Sequence, residues 1–436
     1  MKYVDAAPQS LAQKIIARAA GQSAVRVGDI VTCKVDLAMF HDSSGPRRLK
    51  PMLEELKAEI WDKSKVVLVM DHYVPERDDD ARRIVRIARD WARDQALPHV
   101  YDSQGICHVV VPEHGHIQPG MLCVGGDSHS PTGGAFGAYM FGIGSTEMLG
   151  VVVTGEIWLR VPQTIAMHWS GQLQAGVCAK DMVLAMVAQF GINGADYQAV
   201  EFCGSAVKAL SMQERMTLCN MSAELGAQTG LVAPDAVTFG WLRGRASAAP
   251  DAMRAAAPDA VPAEQLFSDA GSANVQYDFD AGTLSPQLAA PHSPANNVPL
   301  HEHRQTKIDV AYIGACTGAK LDDLRFAAKV LQGKSIARHV QLLVAPASVA
   351  DRAQAQREGT LQILTQAGAS VLPSACGACA GYGNSFEANQ TVISSTARNF
   401  KGRMGPASTQ VYLASAYTVA ASALRGYITD PREVLA

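Results

Sequence analysis

Charge is scarce in this chain. Asp, Glu, Lys and Arg together make up 18% of its 436 residues, and the formal net charge is -3. A nucleic-acid-binding surface needs a basic excess to displace counterions from phosphates, so the composition speaks against that class. Long charge runs and internal sequence repeats are also missing. No apolar run approaches the ~18 residues of a membrane-spanning helix. The longest, Val66–Met70 and Met148–Val153, are strand-sized. The N-terminus, MKYVDAAPQSLAQKIIARAAG, has neither the apolar core nor the cleavage pattern of an export signal. A soluble, cytoplasmic protein is expected.

Apolar material is abundant, at 48% hydrophobic residues. A chain of this length is expected to fold as about three domains. Strand-like runs (Asp29–Val35, Val66–Met70, Ala311–Ile313, Val340–Ala345, Val371–Leu372) alternate with helical stretches such as Ser10–Ala20 and Asp78–Asp94. Runs without polar alternation fit parallel strands buried on both faces, so the predicted class is layered α/β. The Ala-, Asp- and Pro-rich Arg245–Glu264 and the Pro-rich Leu284–Leu300 read as surface excursions or linkers. The second of these is the better boundary for a C-terminal domain.

Nine cysteines make an odd disulfide set. In a reducing compartment thiols are core residues, metal ligands or reactive groups. Cys33, Cys123, Cys178, Cys203 and Cys219 sit in apolar contexts and read as core. Cys316 differs: it lies in Gly314-Ala315-Cys316-Thr317-Gly318, directly after the strand-like Val310–Ile313. Cys376-Gly377-Ala378-Cys379 follows another short strand, Ser370–Leu372. The carboxyl ends of parallel strands line ligand crevices, so two loops from neighbouring strands could bring three thiolates together. Glycines at 314, 318, 377, 381 and 383 would let the backbone approach a bulky body closely. Three chemistries stay open on spacing alone. A [4Fe–4S] cluster held by three thiolates would keep one iron free to act as a Lewis acid. A zinc site is a second, although no second CxxC supplies further ligands. Redox or structural thiols are the third.

Acid–histidine pairs form a second feature. Asp71-His72 ends Val66–Met70. Asp127-Ser128-His129 follows Met121–Val124 and precedes a Gly-rich stretch that reads as a helix start. His108 precedes the strand-like Val109–Val111. A lone histidine is more often a core residue. A buried Asp–His pair, however, suits general acid work, because the carboxylate orients the imidazole and raises its proton affinity. His114, His116, His292, His301 and His303 lie in polar or Pro-rich loops and read as solvated surface. In Arg398-Asn399-Phe400-Lys401-Gly402-Arg403, two guanidinium groups could clamp a di- or tricarboxylate, although in isolation the segment reads as an ordinary basic loop.

Taken together, these segments resemble the aconitase superfamily, in particular its 3-isopropylmalate dehydratase large-subunit branch. The resemblance spans most of the chain: Leu11–Asp42, MDHYVP at 70–75, GICHVVVPEHG at 105–115, GDSHSPTGGAFG at 126–137, CNMSAELGA at 219–227, GACTG at 314–318, CGAC at 376–379 and RNFKGRMG at 398–405. It implies three α/β/α domains of the aconitase type, over 1–165, 166–300 and 301–436. It also implies a [4Fe–4S] cluster on Cys316, Cys376 and Cys379 whose fourth iron binds substrate hydroxyl and carboxylate. Asp71, His72, His108, Asp127, His129 and Glu224 match the residues that handle the leaving hydroxyl. Asn220, Ser128, Arg398 and Arg403 match those around the substrate. The implied reaction is dehydration and rehydration of a hydroxy acid.

The family's Gly-Ser-Ser-Arg-like loop, borne on a swivelling fourth domain, has no counterpart in this chain. A separate small subunit is therefore expected to supply it. Three departures stand out: Ala315-Cys316-Thr317-Gly318 replaces Ser-Cys-Thr-Asn, Ala397 replaces an Asn, and Ser130-Pro131 follows His129. They imply altered hydrogen bonds around cluster and substrate. With 3-isopropylmalate as the default, 2,3-dimethylmalate and homoaconitate-type acids are the alternatives. A zinc-dependent lyase and a non-catalytic sensor or RNA-binding role are competing readings; near-neutral charge and the full acid–base set weigh against the last.

Overall fold

Val66–Met70 illustrates how the sequence builds this fold. Five consecutive apolar residues leave no polar face for water, and all five are buried. Such a strand needs partners on both edges and layers on both faces. Its partners are Leu37–His41 and His99–Asp102, both parallel to it. One covering layer comes from the helix Asp79–Asp94, capped by the Asp78 carboxylate accepting the Ala81 N–H at 2.7 Å. Its Ile84, Val85, Ala88 and Trp91 are buried. Each large apolar side chain buried this way contributes about 1.5–3 kcal/mol before entropy is counted.

The computed structural model describes residues 7–243, 245, 266–382 and 386–435. Apart from Arg245, the excursion read at Arg245–Glu264 lies outside them. Three parallel sheets organise the chain. The first has the order His99–Asp102, Val66–Met70, Leu37–His41, Leu122–Gly125, Tyr139–Gly142. The second runs Thr229–Val232, Ala199–Cys203, Thr164–Ser170, Val275–Asp280. The third runs Ser370–Val371, Gln341–Val344, Val310–Ile313, Thr391–Ser394, Gln410–Leu413. A two-stranded antiparallel ribbon, Ile30–Lys34 against Glu156–Arg160, flanks the first sheet.

The first and third sheets share one winding. In each, the earliest strand is central, the next two build outward on one side, and the chain then crosses to the other side. The repetition lives in topology, where no sequence repeat is visible. A crevice forms at the carboxyl end where the winding reverses. In the first sheet that point lies between Leu37–His41 and Leu122–Gly125. In the third it lies between Val310–Ile313 and Thr391–Ser394.

Three local expectations fail. Val109–Val111 is not a strand but part of the helix Cys107–Glu113. The β-branched run favours a strand only weakly, and the Asp71 carboxylate accepts the Cys107 N–H at 2.7 Å, anchoring a helix start. The glycine-rich stretch after His129 forms a 3-10 segment, Ser130–Phe136, and then the strand Tyr139–Gly142. The strand-sized Met148–Val153 belongs to the helix Ser145–Thr154, where the Glu147 carboxylate accepts the Gly144 N–H at 3.0 Å and left-handed Gly155 ends the helix. Among the described residues no helix is long and apolar enough to cross a membrane.

Candidate active site

Both reversal points open onto one cavity of about 340 Å3, lined from the first sheet by His41, His72, His108, Asp127, Ser128 and His129. From the third sheet and the loops that follow its strands come Cys316, Cys376, Cys379, Arg398 and Arg403. The cysteines do not come from neighbouring strands as expected. Gln341–Val344 lies between the strand before Cys316 and the strand before Cys376. The longer loop after Ser370–Val371 spans that gap, and the Cys376 N–H reaches the Asp71 carbonyl at 2.9 Å, joining the thiol loop to the acid loop.

Asp71 is fully buried behind His72 and accepts its Nδ1–H at 2.7 Å. Burial opposes a charged imidazole, yet Asp71, with Asp127 and Asp42 beyond it, holds the proton and raises His72 to about 10. His72 is therefore an imidazolium at neutral pH. Asp42 fixes the same turn by accepting the His72 and Tyr73 N–H groups at 3.1 and 2.8 Å. Asp127 accepts from His108 Nε2 at 2.7 Å and from the His129 N–H at 2.8 Å. Despite burial, His108, His129 and His41 hold its carboxyl well below the usual range. His129 Nε2 meets Glu224 Oε1 at 3.1 Å, and the same oxygen accepts from Arg398 Nε at 2.7 Å. Glu224 is lowered against burial by these two partners. Its carboxylate sits behind the cavity wall and positions His129 and Arg398. Arg398 also donates to Ser128 Oγ at 2.9 Å.

His41 was not singled out from the sequence. Its ring stacks on His72 with centroids 3.9 Å apart and planes 11° apart. Its Nδ1 accepts the Ser43 N–H at 3.2 Å, which leaves the proton on Nε2, 3.6 Å from Asp127 Oδ2. The signal was present: His41-Asp42 ends an apolar strand just as Asp71-His72 does. His116, read as solvated, is fully buried; the Tyr101 hydroxyl and His116 Nε2 lie 2.6 Å apart, and burial lowers it to about 3. Its polar neighbours in sequence concealed a site closed over by His99 and Tyr101.

The thiols provide a test for a cluster. Asn220, fully buried behind Cys316, donates Nδ2 to the Cys316 sulfur at 3.2 Å and to Thr132 Oγ1 at 2.7 Å. Its Oδ1 is an orphan, as is the buried Nε of Arg403. Burial pushes Cys316 up to about 12, with the charge of Cys379 adding to the effect. A hydrogen bond from Cys376 pulls Cys379 down to about 5 against burial, helped by Arg403. One thiolate and two suppressed thiols facing each other form a donor set that a cationic body relieves, because metal ligation deprotonates thiols outright. Single-ion geometry is confined elsewhere among the described residues. His41, Asp42, Asp71 and His72 form one set with ligand atoms within 4.8 Å, and His108, Asp127 and His129 form another. The three cysteines form no such set: Cys376 and Cys379 are hydrogen-bonded to each other, and at least one of the three sulfur pairs is wider than 4.8 Å, more than a single ion would span. The residues fit an iron–sulfur cluster.

Gly318 explains one departure in sequence. A Cβ there would lie 2.3 Å from the Ser395 Cβ, so no asparagine fits. Beside it, the buried Lys320 donates Nζ to the Cys316 carbonyl at 2.8 Å and pairs with Asp323 at 3.0 Å.

Comparisons with known proteins give the chain's family. The model of the Aconitase family (aconitate hydratase) matches residues 13–307 and 301–426. The chain is 41% identical to 3-isopropylmalate dehydratase large subunit 1 of Methanopyrus kandleri over 98% of this chain and 100% of that one. It is also 41% identical to a probable methanogen homoaconitase large subunit of Methanosarcina mazei, over 92% and 99%. The 3-isopropylmalate dehydratase large subunit of Desulfatibacillum aliphaticivorans is 37% identical over 98% and 99%. Among solved structures, holo aconitase X of Thermococcus kodakaraensis aligns with a TM-score of 0.48 at 12% identity, over 84% of each chain.

Proposed function

The chain belongs to the aconitase family, and from that premise we propose that it is the large subunit of a two-component [4Fe–4S] hydro-lyase acting on 3-isopropylmalate or a near relative. Its class, hydro-lyase, follows from the family. The observation that carries the finer reading is the meeting of two sheet reversal points on one cavity, with three cysteines on one wall and a charged acid–histidine set on the other.

Cys316, Cys376 and Cys379 would hold the cluster, which when bound supplies a Lewis-acidic iron for the substrate's hydroxyl and carboxylate. Asn220 would steady the Cys316 sulfur. The chain's own residues then divide the remaining work. His72 enters as an imidazolium held by Asp71 and gives its Nε2 proton to the departing hydroxyl, which leaves as water. Asp127 keeps His108 and His129 oriented around the same point. Arg398 and Arg403 line the opposite wall and fix substrate carboxylates, their planar guanidinium groups matching a carboxylate's two oxygens. Among the described residues lining this cavity, no serine hydroxyl is placed to take the carbon-bound proton. Ser128 is spent on Arg398, and Ser44 Oγ lies against His41. A small subunit would bring that base and close the cavity, in keeping with relatives that are named large subunits.

The test is to reconstitute the purified chain anaerobically and assay it with and without the cognate small subunit, on 3-isopropylmalate, 2,3-dimethylmalate and homoaconitate. We expect turnover of 3-isopropylmalate only with both subunits. Full turnover by the lone chain would overturn the two-component reading, and preference for homoaconitate would assign the chain to the second activity named among its relatives.

A further inference from the structure

Three large apolar side chains stand more than half exposed on the ribbon and the turn at Tyr197. Ile30 is 72% exposed, Trp158 67% and Tyr197 60%. Ile30 and Trp158 project from the outward face of the two-stranded ribbon, whose inward residues Val31, Cys33, Ile157 and Leu159 are buried. A soluble surface rarely carries such a grouping without a partner.

This grouping is joined to the active site. The catalytic cavity shares Asp127, Ser128 and Arg398 with a shallow cleft that continues past Ile143 to Tyr197 and Gln228. That cleft in turn shares Tyr197 and Gln228 with a groove floored by Trp158 and Tyr277. Three adjoining hollows, each sharing lining residues with the next, therefore form a depression that leads from Arg398 to Trp158 on the ribbon.

Tyr197 stands at the junction of the two clefts and is held there at a cost. It and Asp196 have φ values of 57° and 43°, the left-handed region that β-carbons disfavour by roughly 1–2 kcal/mol per residue. Glycine would be the unstrained choice. The Tyr197 N–H bonded to the Gly226 carbonyl at 2.8 Å keeps the turn in place. Strain retained under an exposed aromatic ring points to a role for that ring outside the folded chain itself.

We propose that this depression is the seat of the small subunit, with Trp158 and Tyr197 as its aromatic anchors and Ile30 beside them. The inference rests on the two-component reading above, and it names the surface through which the second component reaches the cavity. The occupant presents an apolar, shape-matched patch to the ribbon and extends a polar loop along the cleft toward Arg398. Docking there covers the open side of the catalytic cavity and excludes water from it. A second copy of this chain has no such reason to lie along a path that ends at the substrate-binding arginine.

The test measures binding of the cognate small subunit to the reconstituted full chain by interferometry, for wild type, Trp158→Ser, Tyr197→Gly and, as a control, Leu56→Ser. Leu56 is also exposed but lines none of these clefts. Buried aromatic anchors typically dominate an interface, so each of the first two variants should weaken binding at least ~10-fold, with the control unchanged. Tyr197→Gly relieves the strained turn, so its melting temperature should hold or rise, separating lost binding from lost fold. Unchanged affinity in both variants overturns the proposal. So does a change in self-association with small-subunit affinity intact. If wild type itself neither binds the small subunit nor turns over with it, the two-component reading fails first and this inference with it.

Discussion

Asp71 and His72 are adjacent in sequence and bonded side chain to side chain, Oδ1 to Nδ1, at 2.7 Å. Neighbours on a strand normally point to opposite faces; here the strand has just ended at Met70, and the turn held by Asp42 brings both side chains to one side. The pair sets the protonation state of the candidate acid. His72 is raised to about 10 in the folded chain, against an ordinary imidazole value of ~6.5. Its stabilising contribution is therefore fully present below ~6.5 and fades as pH rises through about 10.

Asp71→Asn should remove most of that shift. We expect kcat to fall ~10²-fold or more, as for loss of a positioned general acid. The remaining activity should decline as pH rises above ~6.5, whereas the wild-type rate should not lose its acid form until far more alkaline pH. A pH–rate series on the reconstituted pair checks this, and an unchanged alkaline limb would remove His72 from the role of proton donor.

Arg398 is held twice before any substrate arrives, through Nε to Glu224 and through Nη1 to Ser128. That arrangement leaves Nη2 and the second Nη1 proton for a carboxylate's two oxygens and fixes the plane in which they are offered. Lysine carries the charge but not the fork. Arg398→Lys should raise KM ~10-fold, worth about 1.4 kcal/mol, with a smaller effect on kcat. Steady-state kinetics on the preferred substrate separates the two constants.

Asn220 spends one amide proton on Thr132 and the other on the Cys316 sulfur. Removing that donor should loosen a thiolate-bound cluster without touching its ligands, an effect commonly worth ~10–100-fold in metal affinity. In Asn220→Ala the visible iron–sulfur absorption and bound iron should bleach faster in air than in wild type. Iron analysis against time, independent of turnover, gives the readout.

Much of the site was legible because its residues follow apolar strands. Val66–Met70 and Val310–Ile313 have one reading, buried strand, and whatever follows such a strand in an α/β sheet reaches a crevice. The same rule, applied to Leu37–Phe40, reaches His41, which was passed over and is stacked on His72. Local composition misled where a tertiary contact decided the outcome. Val109–Val111 looks like a strand until the Asp71 carboxylate takes the Cys107 N–H and starts a helix. His116 looks solvated until His99 and Tyr101 close over it. Nor does sequence reveal that the first and third sheets wind alike, since shared winding needs no shared residues.

Gly318 and Ser395 offer a test of packing between the loop carrying Cys316 and the strand end that leads to Arg398. A Cβ on residue 318 would sit 2.3 Å from both the Cβ and the Oγ of Ser395, and 2.4 Å from its carbonyl oxygen. The Ser395 hydroxyl is itself engaged, accepting the Gly314 N–H at 3.0 Å, so it cannot simply swing away. Gly318→Ala should therefore cost about 1–3 kcal/mol as an overpacked substitution and displace Cys316. Ser395→Gly added to it should recover only part of that loss, because the carbonyl remains in the way and the Gly314 N–H loses its acceptor. Denaturant unfolding of the wild type, both single variants and the double variant closes the cycle. A double variant as stable as wild type would show that the side chain of Ser395 alone, and not the backbone behind it, keeps residue 318 a glycine.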